Sequence, residues 1–126
     1  MASIRYKEPT SDKGVASNGT TAATIYTFGT SLLNPDDSSG YGGVIDAIDI
    51  YNSDTVQHDV FLHLIASGGS LGNDTLIKPI KALPAGEGVR VIGPFRAKDS
   101  ATLQVKLGEA HTSTAVYVKA EVSEFH

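Results

Sequence analysis

Ala115-Val116-Tyr117-Val118-Lys119-Ala120-Glu121-Val122 alternates, from Val116 onward, small or branched apolar side chains with charged or aromatic ones. Successive side chains of a strand point to opposite faces, so Val116, Val118, Ala120 and Val122 share a buried face while Tyr117, Lys119, Glu121 and Ser123 share the other. The same period of two recurs upstream. In 102–107, Leu103, Val105 and Leu107 alternate with Gln104 and Lys106, and in 56–66, Val60, Leu62 and Leu64 alternate with Asp59, Phe61 and His63. Residues 23–28, 44–51, 75–83 and 89–92 are further short runs rich in Val, Ile, Thr, Leu and Tyr. Turn-forming clusters separate them: Asn52-Ser53-Asp54, the 67–74 loop and Pro84-Ala85-Gly86-Glu87-Gly88, while Gly93-Pro94 breaks the pattern after residue 92. No segment carries a helical stripe.

Half-buried strands joined by short turns imply two packed antiparallel sheets. The expectation is an all-β fold: an antiparallel β-sandwich of seven to eight strands, with a jelly roll among the candidate topologies and the strand order open. At 126 residues the chain has room for one core. Residues 22–126 are read as the sandwich domain. Residues 1–21 are small and polar, with Pro9, Gly14 and Gly19 and no periodicity, and are read as an extended N-terminal arm whose apolar anchors are Ile4, Tyr6 and Val15. Such a segment is either a disordered terminus or an arm that orders on a neighbouring subunit.

The net charge of −4 comes without a Lys/Arg cluster, so the field that draws proteins onto nucleic acid or anionic membranes is missing, and no nucleic-acid partner is expected. Residues 1–10 lack an apolar signal region and no window reaches membrane-spanning length, so no membrane partner is expected either. Absence of cysteine removes disulfides, thiolate metal sites and a cysteine nucleophile, and suits a reducing cytoplasm.

Catalytic and metal-binding candidates are weak. His58 and His63 sit an odd number of residues apart on one strand and so face opposite ways, His111 lies in a loop and His126 is terminal. All four are read as surface or rim histidines and not as ligands. Asp36 and Asp37 are read as solvated turn residues, since their spacing matches no calcium loop. Asp46 and Asp49 face opposite ways on a regular strand, which argues against a carboxylate pair acting together. No Gly-x-Ser-x-Gly elbow is present, and the glycine runs at 39–43 and 67–72 precede no helix, so both are read as loops. No enzyme activity, cofactor or metal is expected.

What remains is surface. Phe61 and Ile65 occupy the outward set of 56–66, which makes them interface residues, or core residues if the register slips by one. Tyr117 and Phe125 are read as interface residues. A sugar-binding module would usually show a planar set of Trp or Tyr; this chain has no Trp, and its tyrosines are dispersed along the sequence.

Residues 43–122 resemble small all-β virion proteins of tailed bacteriophages. The resemblance is carried by Thr24-Ile25-Tyr26-Thr27, Ile48-Asp49-Ile50-Tyr51-Asn52-Ser53-Asp54-Thr55, Leu83-Pro84-Ala85-Gly86, Gly93-Pro94 and the closing valine-rich strand, all strand or turn motifs of low specificity. It implies a capsid decoration (cement) protein of the viral structural class, forming symmetric oligomers, with trimers favoured. Its partners would be the major capsid protein and copies of itself, on the virion surface after synthesis in the bacterial host cytoplasm. It transfers no catalytic residue. On this resemblance, residues 1–21 order only in the assembled particle. A tail, baseplate or head-tail connector component and a carbohydrate-binding module are the alternatives.

Overall fold

The side chains that alternate inward in the sequence meet between two antiparallel sheets. The computed structural model describes residues 4–7, 13–15, 21–29, 41–109 and 115–125, and the candidates His111, His126, Asp36 and Asp37 lie outside them. Within the described residues the strands are β1 (Ile4–Lys7), β2 (Lys13–Val15), β3 (Ala23–Thr27), β4 (Tyr41–Asn52), β5 (His58–Ile65), β6 (Leu76–Leu83), β7 (Gly88–Lys98), β8 (Thr102–Leu107) and β9 (Val116–Phe125), with a 3-10 turn at Asn73–Thr75 before β6. One sheet runs β1-β9-β4-β7 with β2 also on β9; the other runs β3-β8-β5-β6. The fold is an all-β antiparallel sandwich. No helix among the described residues is long and apolar enough to cross a membrane.

The pairings are nested. β5 pairs β6, β4 pairs β7, β3 pairs β8 and β2 pairs β9, as in one long hairpin folded at the β5–β6 connection. Rolling that hairpin up adds the pairs β4·β9 and β5·β8. The core between the layers is formed by Ile45, Ile48, Ile50, Val116, Val118, Ala120 and Val122 from one sheet and Ile25, Val60, Leu62, Leu103, Val105 and Leu107 from the other, with Phe28 just beyond β3. These are the inward sets of the alternating strands.

Several local expectations change. β7 continues through Gly93-Pro94, which the sequence reading took as a break. Proline lacks an N–H, but β7 is an edge strand and β4 shifts register opposite this step, between Ile45 and Ala47, so no ladder bond is demanded there. β4 begins at Tyr41 and includes Gly42 and Gly43, which were read as loop. A Cβ on Gly43 would run into the Ser123 carbonyl oxygen on β9, so a residue without a side chain is what lets these two strands close up. Strands number nine among the described residues against the seven to eight expected. The additional strands β1 and β2 fall in the segment read as an arm, and both hydrogen-bond to β9 of the same chain.

Two buried polar clusters fasten the sandwich. At one end Glu124, an inward residue of β9, is buried and accepts from the Tyr26 hydroxyl (2.5 Å) and the Gly29 N–H (3.2 Å). Burial, then the hydrogen bond and charge of Glu124, hold the Tyr26 hydroxyl above its ordinary pKa, so it stays a donor. Tyr26→Phe is expected to reduce stability by about 1.5–3 kcal/mol in urea unfolding, because it removes a charge-assisted bond from a buried carboxylate.

Elsewhere Asn52 closes β4. Its Nδ2 donates to Val56 O and Leu83 O, both at 2.9 Å, and its Oδ1 accepts from the Asp54 N–H at 3.0 Å. Its backbone bonds Glu87 O and Gly86 N, so this one residue ties the β4–β5 connection to the β6–β7 connection. Beside it, Asp54 Oδ2 and His58 Nε2 form a buried pair at 2.6 Å.

Candidate interaction surfaces

The outer faces of the two sheets are set by the same alternation that builds the core, and they divide the expected interface residues between opposite sides of the molecule. Tyr117 is outward on β9, whereas Phe61 is outward on β5, in the other sheet. The two do not form one surface. Phe61 is half-buried, with Lys81 Nζ 4.7 Å from its ring centroid, so its own chain supplies a cation–π partner. Lys81 also lies 3.8 Å from Asp59 Oδ2.

Ile65 is not an interface residue: it is buried, yet outside the central core cluster. The connection after β5 folds back over this outward position, bringing a Cβ built on Gly69 to 3.4 Å from Ile65 Cγ2. Its burial agrees with the core alternative, but the cause is a covering loop and not a slipped register, since pairing with β8 is unbroken. Ile4 and Phe125 are register partners on β1 and β9, Tyr6 pairs with Ser123, and Val15 on β2 pairs with Val116. These candidates therefore gather along one edge of the five-stranded sheet.

His58 and His63 are buried, not surface or rim residues. His63 faces outward on β5, where the 3-10 turn covers it and its Nδ1 lies 2.9 Å from Thr75 Oγ1. The Thr75 hydroxyl donates to Gly72 O and accepts from Gly72 N, so it is an acceptor toward His63, which places a proton on Nδ1. Burial, followed by the positive charge of Lys106, lowers the His63 pKa against an opposing hydrogen bond to the Gly72 backbone. The unfolded chain then takes up a proton that the folded chain resists, so His63 favours folding fully above its usual value of 6.5 and progressively less as pH falls below it. The melting temperature is expected to drop between about pH 7.5 and about pH 5.5, and His63→Asn, which can keep a donor toward Thr75, is expected to flatten that drop.

Asp46 and Asp49 both face outward, against the opposite faces expected of a regular strand. The irregularity between Ile45 and Ala47 inserts a residue and resets the alternation, so Asp46 accepts from Ser123 Oγ (2.7 Å) while Asp49 pairs with Arg90 (2.7 Å). Each is engaged by a different partner. Among the described residues no three His, Asp or Glu side chains converge as metal ligands.

The outer face of the five-stranded sheet holds two residues the sequence reading passed over. Tyr51 is 48% exposed and stands directly opposite Tyr117, which is 38% exposed, and Ile92 on β7 is 67% exposed. The signal was available locally: with Ile50 and Val91 inward, Tyr51 and Ile92 must point out. Between the tyrosines and Ile92 lies a row of charges, Lys119-Asp49-Arg90, with Arg90 also 2.9 Å from Glu121. Compared with known proteins, the chain matches no family model, no curated protein and no solved structure.

Proposed function

We propose that this chain is a non-enzymatic virion structural protein that binds and stabilises the outer surface of a capsid as a decoration (cement) protein, with the major capsid protein and copies of itself, grouped as trimers, as partners. The nested strand pairs support a jelly-roll path for the domain. The observation that carries the functional reading is the placement of β1 and β2, two short strands laid end to end on the outer edge of β9.

Strand addition uses backbone hydrogen bonds, so an edge that takes a segment of its own chain can take the same segment from a neighbour. Residues 16–22 join β2 to β3 and reach up to about 25 Å when extended, enough to cross to an adjacent subunit in a tight cluster. Each exchanged arm is a weak contact alone, and repetition over a lattice makes the attachment strong without any pocket. The localisation that follows is the capsid surface, after synthesis in the bacterial host cytoplasm.

Deleting residues 1–21 and measuring binding to particles stripped of this protein tests the reading. Binding is expected to fall at least about tenfold, since several strand-pairing contacts disappear together. Unchanged binding of a folded deletion variant would overturn it.

A further inference from the structure

The groove around Tyr51 and Tyr117 lies outside the strand-exchange reading and does not depend on it. Across the sheet the row reads Gly14, Tyr117, Tyr51, Gly88, on β2, β9, β4 and β7 in turn, so the aromatic pair is bordered on each side by a residue without a side chain. Tyr51 leans toward Gly88: its Cδ2 is 3.6 Å from a Cβ built there. Tyr51 as a whole is 48% exposed and Tyr117 38%, so both side chains are partly open to a ligand. Together with Asp49, Arg90 and Lys119 these residues line a groove of about 470 Å³. That is within the usual range for a small-ligand site.

The next row supplies hydrogen-bonding groups held in place. Arg90 is fixed by Asp49 at 2.7 Å through one terminal nitrogen and by Glu121 at 2.9 Å through the other, using part of a fork of five donors. Both carboxylates keep lone pairs for further donors. Asp49 in the groove and Glu121 at its border, bonded to Arg90, together balance Arg90 and Lys119, so this patch carries no net charge to favour a phosphate, a sulfate or a cation. Two partly exposed tyrosines beside a balanced set of fixed donors and acceptors fit a ligand that is apolar on one face, rich in hydroxyls at its rim, and uncharged.

We propose that this groove binds a neutral saccharide, with sugar rings stacked on Tyr51 and Tyr117 and ring hydroxyls bonded to Asp49 and Arg90. The C–H face of a pyranose packs on an aromatic ring, and vicinal hydroxyls match a carboxylate or a guanidinium. The tyrosines come from strands distant in the chain, and β4·β9 pairing alone sets them side by side.

The test is a nuclear magnetic resonance titration of the full chain with a broad set of neutral oligosaccharides, including glucose, mannose, galactose and xylose oligomers, with a sulfated oligosaccharide for comparison. At least one neutral oligosaccharide is expected to shift the amide signals of Tyr51, Gly88 and Tyr117 saturably. Tyr117→Ala should weaken that binding about tenfold, and Tyr117→Phe, which keeps the ring, should retain most of it. Should Tyr51→Ala loosen the sheet around Gly88, the Tyr117 variants still decide. The proposal is overturned if no neutral oligosaccharide moves these signals, if only the sulfated one does, or if Tyr117→Ala binds as the parent does. It is equally overturned if the signals move with protein concentration alone, which would make the face a contact between copies.

Discussion

Replacing Asn52 with alanine is expected to lower the unfolding free energy by about 3–5 kcal/mol, seen as a shift of the urea midpoint at unchanged slope. The buried amide satisfies the carbonyls of Val56 and Leu83 and the N–H of Asp54 at once. Removing it strips those backbone groups of their partner; the bonds to Leu83 O and Asp54 N–H are buried and that to Val56 O partly so, and each buried orphaned group costs about 1–3 kcal/mol. Asn52→Asp should be nearly as damaging. It keeps the acceptor toward Asp54 but loses both donors and sets a negative charge against two carbonyl oxygens. The neighbouring Asp54–His58 pair shares this corner, so its loss and the loss of Asn52 are expected to be non-additive. If Asn52→Ala instead shifts stability by less than about 1 kcal/mol, the corner does not join the connections as described.

Gly43→Ala is the second substitution with a large expected effect. The added methyl group would collide with the Ser123 carbonyl oxygen, approach Glu124 Cα to 3.0 Å and press on the Phe28 ring at 3.0 Å. Two of these neighbours are backbone of β9, which cannot rotate away as a side chain would. The β4·β9 pair must part, and with it the seat of Glu124 beneath Tyr26 and Gly29. A loss of at least about 3 kcal/mol is expected, at the upper end of overpacking effects because backbone must move. Hydrogen exchange should show the amides of Ser123 and Glu124 losing protection before those of β8.

The sandwich was legible where the alternation is strict. Leu103, Val105 and Leu107 on β8 and Val116, Val118, Ala120 and Val122 on β9 are buried as their spacing requires. The local pattern is overridden where something distant in the chain intervenes. Ile65 and His63 point outward by parity and are nonetheless buried, because a loop that shows no periodicity of its own folds back over them. The extra residue at Asp46 reverses parity within β4, and no side chain announces it. Gly93-Pro94 breaks a strand by local propensity, but an edge position removes the penalty.

The surface was less legible than the core for a related reason. Alternation assigns Phe61 and Tyr117 each to an outer face without saying which, and pairing order puts them on opposite sheets. Tyr51 and Tyr117 are scattered in sequence and adjacent in space, so an inventory of aromatic residues could not find a platform that strand register creates.

Under the proposed function, copies of this sandwich are fastened to a capsid by strands laid on the β9 edge. Electron cryomicroscopy of the native particle, at a resolution that separates strands, decides whether they are. The expected result is sandwich-shaped density repeated in clusters of three over the outer shell, with residues of β1 and β2 from one subunit seated on β9 of its neighbour. Density for this chain confined to a tail or connector, or absent from the particle, would contradict it.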